Sequence, residues 1–522
     1  MDAYDSEADS THAQPEPRNP PRPKRPFPAF QLAILFLIKL TEPINSTVIY
    51  PFVNQFVRDT GITGGDETKT GYYAGIIESI FFFAECLSVY HWGRLSDRIG
   101  RRPVLLCGPL GLALAMTSFG LSRHFWMLVV SRCAQGIFNG NVGVAKSMMV
   151  EITDPADVPR VFGYLPAMWS TGITLGPVIG GTLARPANRW PDTLGKPTFL
   201  DDYPYFLPCA VAGGIAFVSF LYAYFFLHES LPSAIRRPAF DQQSDLNGRR
   251  RLTKSESHGN TPLLDDQAPV INYGTRENAS CSSSSCACES DSEDAIQPND
   301  STPPPFRSLL TRSLLLALAN HGFYCFLDQC QQVLLPLMLS TSVAHGGLGF
   351  DSFTIGMIMA TWGVGNAVFQ VIAFPRVVGW LGPRRTYVIC FAFFLATFTG
   401  YPLMSITARL RGHVDARVWF ILITQLTLHC FACMSYGCVQ LFILDAAPGN
   451  AALGAVNGLS QMMSTVVRTV APTLASSLFS LSLQKQLAGG YMVYAVLVGV
   501  VLAGWSLALL LPPALQGQLK RP

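Results

Sequence analysis

The amino-acid sequence predicts an all-α membrane protein with twelve transmembrane helices, arranged as two pseudo-symmetric halves of six. Three observations predict this class. The 522 residues are 49% hydrophobic and only 14% charged, whereas soluble globular proteins are nearer a quarter charged. The charged residues are concentrated in short clusters between long apolar stretches. One long polar segment divides these stretches into two sets of six.

The membrane spans follow from the length of the apolar stretches, since a hydrocarbon core of about 30 Å requires roughly 20 apolar residues in a helix. The N-terminal half, 30–228, contains six such stretches, and the C-terminal half, 308–512, contains six more. The twelve predicted spans are 30–55, 71–91, 104–122, 126–149, 160–184, 205–228, 308–340, 354–375, 386–405, 417–443, 453–480 and 490–512.

Three polar segments flank the predicted halves. Residues 1–29 are rich in proline and lack the apolar core of a cleaved signal peptide, so we predict a disordered cytoplasmic N-terminus. Residues 229–307 cannot bury enough apolar surface to fold alone, which predicts a disordered cytoplasmic linker, and 513–522 form a cytoplasmic tail. Metal binding or acylation is an alternative for the linker cysteines Cys281, Cys286 and Cys288, but a solvated linker is the favoured interpretation.

The distribution of basic residues predicts the orientation. An even number of spans places both termini on one side, and most of the 37 Lys and Arg fall on that side. The positive-inside rule therefore predicts cytoplasmic termini, although the basic loop at 409–417 is an exception. We expect a multi-pass protein of the plasma membrane in preference to the vacuole.

Composition also argues against several functions. A net charge of +3 without a basic stripe argues against a nucleic-acid partner. The sequence has no ATP-binding P-loop and no convincing pairing of a nucleophile with a base, so we predict neither a primary pump nor an enzyme. The 13 cysteines are scattered, many within apolar spans, where cysteine behaves as a small hydrophobe. We therefore expect no disulfide framework, no cofactor and no resident metal.

Three features recur between the halves in the same order, at an offset of about 280–295 residues, as expected for an internal repeat. Glu42 with Pro51 matches Asp328 with Pro336. The two other pairs are Gly100-Arg101-Arg102 with Gly382-Pro383-Arg384-Arg385, and Gly176-Pro177 with Ala471-Pro472. This order indicates a duplicated six-helix unit.

A glycine- and arginine-rich motif joins the second and third predicted spans. It reads Gly93-Arg-Leu-Ser-Asp97-Arg98-Ile-Gly100-Arg101-Arg102, and it resembles the signature loop of the major facilitator superfamily at every defining position. Glycines would permit tight turns, and the basic residues would anchor the loop at the inner surface. Asp97 would contact a helix N-terminus or an arginine of the other half, so that breaking this contact lets the halves rock.

The fourth and fifth spans carry two further motifs. Leu128-x3-Arg132-x2-Gln135-Gly136 is similar to the family's fourth-helix motif, and Glu151 resembles the acidic partner of the Asp97 and Arg101 loop. The fifth span resembles the motif of proton-coupled antiporters, although a generic small-residue packing face is the alternative. Its residues are Gly172, Gly176, Pro177, Gly180 and Gly181.

Together the motifs are similar to those of a fungal branch of drug:proton antiporters, and to those of plant zinc-induced-facilitator-like transporters. The resemblance implies the major facilitator fold, in which two halves alternate access to a central cavity. An upstream serine pair expected in the plant group is Phe162-Gly163 here, which weakens an inference to a zinc-related substrate.

Ionisable residues inside apolar spans are costly and by default functional. Glu42 and Arg132 are the first candidates for proton coupling, since the resemblance places spans one and four along the cavity, and protonation of Glu42 would release Arg132. Asp328 is the candidate of the second half. Glu78 and Glu85, on one helical face, are candidates for substrate contact or for pairing with Lys39. A structural ion pair is the alternative for each. The remaining intramembrane ionisable residues are Lys146, His429 and Arg468.

The predicted function is secondary active transport, by proton-coupled efflux of a small organic compound such as a drug or secondary metabolite. The alternatives are an uncoupled facilitator and a transporter-like receptor without net flux. We expect the partners to be the substrate, protons and the lipid bilayer, and the protein to be a monomer.

Overall fold

The computed structural model of the chain describes residues 28–154, 157–190, 198–231, 310–446 and 453–512. We call residues 28–231 the first half and residues 310–512 the second half, as divisions of the chain. Residues 1–27, the linker from 232 to 307 with its three cysteines, and the tail 513–522 lie outside the described residues. Regular structure in the described ranges is helical throughout.

The first half contains eleven described α-helices, several of them short. They are α1 (Ala29–Thr47), α2 (Val53–Asp59), α3 (Thr70–Ile99), α4 (Arg101–Gly120), α5 (Phe125–Asn139), α6 (Val142–Ile152), α7 (Val158–Gly163), α8 (Leu165–Leu183), α9 (Pro186–Arg189), α10 (Thr198–Asp202) and α11 (Phe206–Phe226).

The second half is built from longer helices. They are α12 (Arg312–Ser340), α13 (Ser352–Leu381), α14 (Pro383–Arg411), α15 (Ala416–Asp445), α16 (Leu453–Gln484) and α17 (Met492–Ala508). Side chains accept hydrogen bonds from the first-turn backbone N–H groups at Thr311, Asp351 and Asp415, which begin α12, α13 and α15. The N–H groups of Val418 and Arg417 lower the pKa of the Asp415 carboxyl.

Each of the twelve predicted segments contains α-helix, but three segments of the first half are divided into two helices. The first divides around Pro51, the fourth around Gly140 and the fifth at Tyr164. Seven helices in the described residues are long and apolar enough to cross a membrane, and all four of α13 to α16 are among them. The total of twelve crossings stays a prediction.

Large apolar side chains cover the outer faces of the long helices. Trp380, Val371 and Leu410 are 83%, 77% and 81% exposed. A water-soluble protein rarely exposes so many large apolar side chains together, whereas lipid tails solvate them. These faces are therefore the surface that contacts the bilayer.

Most of the contact between the two halves is made by two helix pairs, α3 with α16 and α8 with α13. We call the end of the helices where Gly100 connects α3 to α4 the Gly100 end, and the opposite end the Gly181 end. Several polar contacts join the halves at the Gly181 end. They are Arg58 to the Ser340 carbonyl at 3.2 Å, Ser352 to Gln55 at 2.7 Å, and His345 to Glu67 at 3.6 Å.

Candidate functional site

The glycine- and arginine-rich motif is mainly helical, and the observed connection between its two helices is shorter than the loop that the sequence predicts. Helix α3 continues through Gly93 and Asp97 to Ile99, and α4 begins at Arg101. Gly100 alone makes the turn, with φ of +109°, a conformation that residues with a Cβ rarely adopt. A Cβ at Gly93 would meet open space, so the predicted need for a turn glycine at that position is wrong.

Asp97 lies in a charged network within the first half. Arg101 donates to Asp97 at 2.6 Å and forms an ion pair with Glu151 at 3.0 Å. The expected contact of Asp97 with a helix N-terminus is made by another residue, Glu229. That carboxylate accepts from the backbone N–H groups of Arg101 and Arg102 at 2.8 and 3.0 Å, as anions do at the positive end of a helix.

The start of the predicted linker is therefore part of this network. Glu229 also accepts from the backbone N–H of Leu231 at 3.0 Å, and Ser230 donates to Glu151 at 2.5 Å. The predicted boundary at 229 falls inside a hydrogen-bonded segment, because the N-terminus of α4 needs acceptors for its free N–H groups. Arg98 also interacts with other groups of the protein.

The same local geometry occurs in the second half. Gly382 alone connects α13 to α14, with φ of +77°. Arg102 donates to the carbonyl of Tyr224 at 2.7 Å, and Arg384 donates to the carbonyl of Leu509 at 2.7 Å. Each arginine thus binds near the C-terminal end of the last described helix of its half, where backbone carbonyls are unpaired.

The glycines of α8 bring this helix against α1. A Cβ at Gly172 would collide with the Pro43 ring, one at Gly176 with Thr47, and one at Gly180 with the carbonyl of Val48. Small residues permit such close approach between membrane helices. Gly172, Gly176 and Gly180 of the predicted antiporter motif therefore form a packing face toward α1.

The fourth glycine of this motif faces the other half. A Cβ at Gly181 would lie 2.7 Å from the Cα of Gly356, and a Cβ at Gly356 would lie 2.6 Å from the carbonyl oxygen of Pro177. The pair α3 and α16 repeats this contact, since a Cβ at Gly75 would lie 3.1 Å from the carbonyl oxygen of Pro472. The halves therefore touch twice through a glycine facing a proline carbonyl.

Arg132 lies fully buried inside the first half, and its partner is Glu78 at 3.5 Å. It also donates to Gln135 at 2.7 Å and to the carbonyls of Asn45 and Ser46 at 3.3 and 3.0 Å. These carbonyls belong to the last turn of α1, where the helix leaves them unpaired. A cation at this negative end of a helix is stabilised.

Glu42 has a different partner from the one we expected. Lys39 donates to Glu42 at 2.6 Å, and both side chains are 11% exposed. The expected pairing of Glu42 with Arg132 is therefore wrong in this conformation, and Glu42 instead forms an ion pair with Lys39 of its own helix. The reason is local, because residues three apart lie on one face of a helix, whereas Arg132 reaches α1 through backbone carbonyls.

Other charges surround the Lys39–Glu42 pair. Glu85 on α3 is 8% exposed, and the charges of Glu42 and Lys39 act on it. Lys146 on α6 lies in the field of the same residues. We call Lys39, Glu42, Glu85 and Lys146 the first-half charge cluster.

Arg468 connects this cluster to the second half. Its guanidinium lies 5.0 Å from the ring centre of Trp169 and 5.9 Å from that of Phe82, both in the first half. Its charge acts on Glu85 and also on Asp328 of α12. Asp328 accepts a hydrogen bond from Gln332 at 2.8 Å. The charge of Arg468 therefore acts on one candidate carboxylate of each half.

Reasoning from the sequence alone underestimates three residues of this site. Lys39 could have been paired with Glu42 from their spacing of three residues. Lys146 and Arg468 were recognised as intramembrane charges, but the sequence offered no partner for either. Their positions depend on how α6 and α16 pack against α1 and α3.

Comparisons with known proteins agree with this architecture. The family model described as Major Facilitator Superfamily matches residues 35–472. A major facilitator-type transporter of Psilocybe cyanescens, psiT2, is 32% identical over 493 residues, which cover 92% of this chain and 89% of that protein. A major facilitator superfamily multidrug transporter of Aspergillus fumigatus, mfsB, is 29% identical, with 90% of this chain and 81% of that protein covered.

Solved structures share the fold. A D-xylose–proton symporter aligns with a TM-score of 0.62 at 14% sequence identity, covering 94% of this chain and 99% of that one. At this identity the likeness concerns the fold alone. The comparisons confirm the family resemblance predicted from the motifs.

Proposed function

This chain belongs to the Major Facilitator Superfamily, and we propose that it is a secondary active transporter that exports small organic compounds in exchange for protons. The substrate class we propose is a drug or secondary metabolite. Its relatives include proteins named as a multidrug transporter and an efflux pump. We further propose twelve spans in two pseudo-symmetric halves, a monomer, and cytoplasmic termini in the plasma membrane.

The observation that carries this proposal is the position of the contacts between the halves. The glycine–proline contacts of α3 with α16 and of α8 with α13, and the polar contacts of Arg58, Ser352 and His345, concentrate toward the Gly181 end. With cytoplasmic termini, the Gly181 end is extracellular. The conformation is then closed outside, which is the state in which an exporter would load its substrate from the cytoplasm.

Closure through backbone contacts explains why α8 carries its glycines. Three glycines hold α8 on α1 within the first half, while Gly181 holds it on Gly356 of the second half. Separation of Gly181 from Gly356 would open the outer end without disturbing the packing of α8 on α1. Transport therefore requires a rocking motion between halves and little change within them.

Proton coupling would use the first-half charge cluster. Protonation of Glu42 removes the negative partner of Lys39, and the Glu85 carboxylate, which lies in the field of Lys39, then becomes its partner. Because these side chains are largely buried, this exchange changes the free-energy difference between two conformations. Arg468 relays the change to Asp328, since its charge acts on carboxylates of both halves.

The test is transport by the purified protein in proteoliposomes with an imposed pH gradient, across a panel of drugs, metabolites and metal chelates. Glu42→Gln mimics the protonated form. We expect it to bind substrate and to exchange labelled substrate without a gradient, but to lose accumulation driven by the pH gradient.

Glu78→Gln is the matched control, because it removes a carboxylate whose partner is the buried Arg132. It should reduce thermal stability without selective loss of coupling. Proton-driven accumulation by a stable Glu42→Gln protein would exclude Glu42 as the carrier, and Asp328 would be tested next. Wild-type exchange without coupled accumulation would indicate a facilitator, and binding without flux a receptor.

A further inference from the structure

A cluster of three metal-ligating side chains lies inside the second half, outside the charge cluster used above. Asp328 on α12 and His429 and Cys433 on α15 each offer one ligand atom, and these atoms lie within 4.8 Å of one another. We propose that these three residues bind a divalent transition-metal cation of the Zn²⁺ class. The proposal does not depend on proton coupling.

The distances between the ligand atoms fit a tetrahedral ion. The Nε2 atom of His429 lies 3.7 Å from the Sγ atom of Cys433. Zinc bonds of about 2.3 Å to sulfur and 2.0–2.1 Å to nitrogen place two tetrahedral ligands roughly 3.6 Å apart. An ion can therefore enter between imidazole and thiol with little movement of either side chain.

The histidine is buried and incompletely paired. His429 is 1% exposed, and its Nδ1 atom has no hydrogen-bond partner among the described residues. The ring nitrogen that faces Cys433 is the other one, Nε2, so a cation in this cluster would bind Nε2 and would leave Nδ1 as the N–H of the ring.

Aromatic rings fix the histidine in place. Trp362 stacks on His429 with ring centres 5.3 Å apart, and Phe394 meets it edge-on at 5.7 Å. The Trp362 indole is itself held by a hydrogen bond to the Leu426 carbonyl at 3.1 Å. A pre-oriented imidazole loses little freedom when a metal binds.

The chemistry of the ligands selects the class of metal. Thiolate, imidazole and carboxylate together suit Zn²⁺ and its neighbours, whereas Mg²⁺ and Ca²⁺ prefer oxygen ligands alone. Asp328 and Cys433 are only partly buried, unlike His429. On binding, the Cys433 thiol gives its proton to solvent, and carboxylate and thiolate together neutralise the dication.

The bound ion would join α12 to α15. These two helices pack against each other, and they carry Asp328 on one side and His429 with Cys433 on the other. Gln332, which donates to Asp328 at 2.8 Å, leaves the second carboxylate oxygen available. The expected consequence is a second half that is more resistant to thermal unfolding.

The experiment measures Co²⁺ binding to the full chain by absorption spectroscopy, with Co²⁺ as the coloured substitute for Zn²⁺. The parent protein carries the substitutions Cys281→Ser, Cys286→Ser and Cys288→Ser, so that the linker thiols cannot contribute. We expect tetrahedral d–d bands, a thiolate-to-Co²⁺ charge-transfer band, loss of both on adding Zn²⁺, and a melting temperature that rises with Zn²⁺.

Cys433→Ser should abolish the charge-transfer band. Outer-shell changes alone cost about 10–100-fold in metal affinity, so the loss of a direct ligand is expected to exceed about 100-fold. The matched control is Cys438→Ser, a buried cysteine on the same helix outside the cluster, which should keep the parent spectrum. His429→Gln and Asp328→Asn remove the other two ligands. If His429→Gln fails to fold, Asp328→Asn still provides a second ligand variant.

Two results would overturn the proposal. One is a folded, monodisperse parent protein that shows no thiolate–Co²⁺ band. The other is a Cys433→Ser protein that keeps the parent band and affinity.

Discussion

The two halves of the molecule bury their ionisable side chains in different ways. In the first half, Lys39 pairs with Glu42 at 2.6 Å and Arg132 with Glu78 at 3.5 Å. In the second half, Asp328 is held by the neutral amide of Gln332. Neutral bonds dominate its interior, such as Tyr401 to Gln331 at 2.7 Å and Gln425 to the Thr397 carbonyl at 2.8 Å.

This difference suggests a division of labour between halves of similar design. Charges that already have partners can exchange them when a proton arrives, which suits the first half to energy coupling. Neutral polar groups and a partly exposed carboxylate can instead receive a ligand. The repeated glycine–proline contacts show where the halves are alike, which is where the proposed motion would separate them.

The largest expected effect is a loss of stability, and it distinguishes Arg132 of the first half from Arg468 of the second half. Arg132→Met leaves Glu78 buried without its partner, which typically costs about 3–5 kcal/mol of stability. Arg468→Met should cost less stability, because Arg468 makes no ion pair within 4.0 Å among the described residues, but it should impair transport. Thermal unfolding in detergent and transport in proteoliposomes distinguish the two variants.

The double variant Glu78→Gln/Arg132→Met sharpens this comparison. Because it removes both charges, its stability should recover a large part of the loss caused by Arg132→Met. Additive losses would show that Glu78 and Arg132 are energetically independent, and would contradict the role of a fixed pair.

A smaller effect is expected where the halves are alike. Gly356→Ala places a methyl group against backbone atoms of Gly181 and Pro177. Over-packing of this kind typically costs about 1–3 kcal/mol, here in the conformation closed at the Gly181 end. A cysteine introduced at the Gly181 end should react faster with a water-soluble thiol reagent, and transport should fall.

Gly365→Ala is the control for this prediction. It makes the same change on the same helix, where a Cβ would meet open space, and should leave accessibility and transport unchanged. If Gly356→Ala and Gly365→Ala behaved alike, the Gly181–Gly356 contact would have no role in closing the Gly181 end.

The smallest effect on stability is expected at Asp97, where the halves differ in sequence. Gly379 occupies the corresponding place in the second half, three residues before Gly382. The Asp97 side chain is 63% exposed, and exposed ion pairs contribute about 0–1 kcal/mol. Asp97→Asn should therefore leave melting unchanged but slow transport, through the balance between conformations.

Asp202→Asn is the matched control, since its exposed carboxylate pairs with Arg123 at 3.3 Å at the opposite end. Unchanged transport is expected there. If Asp97→Asn also transported at the wild-type rate, the Gly100 connection would serve only to anchor the helices.

The sequence by itself determined the membrane class, the family and the positions of the helices. Length and apolarity are local properties, so each predicted span could be read without knowing its neighbours. The motif from Gly93 to Arg102 identified the family, although its helical continuation through Asp97 was missed. Gly100 was correctly predicted as a turn, since its backbone conformation is a local property.

Only the tertiary structure decided which charges are partners. Glu78 and Arg132 are 54 residues apart, and nothing in their local sequence distinguishes this pairing from Glu42 with Arg132. The choice depends on the packing of α3 against α5 and on the end of α1, whose free carbonyls already attract the guanidinium. The grouping of Asp328, His429 and Cys433 has the same cause, because ligands on two helices converge only when those helices pack.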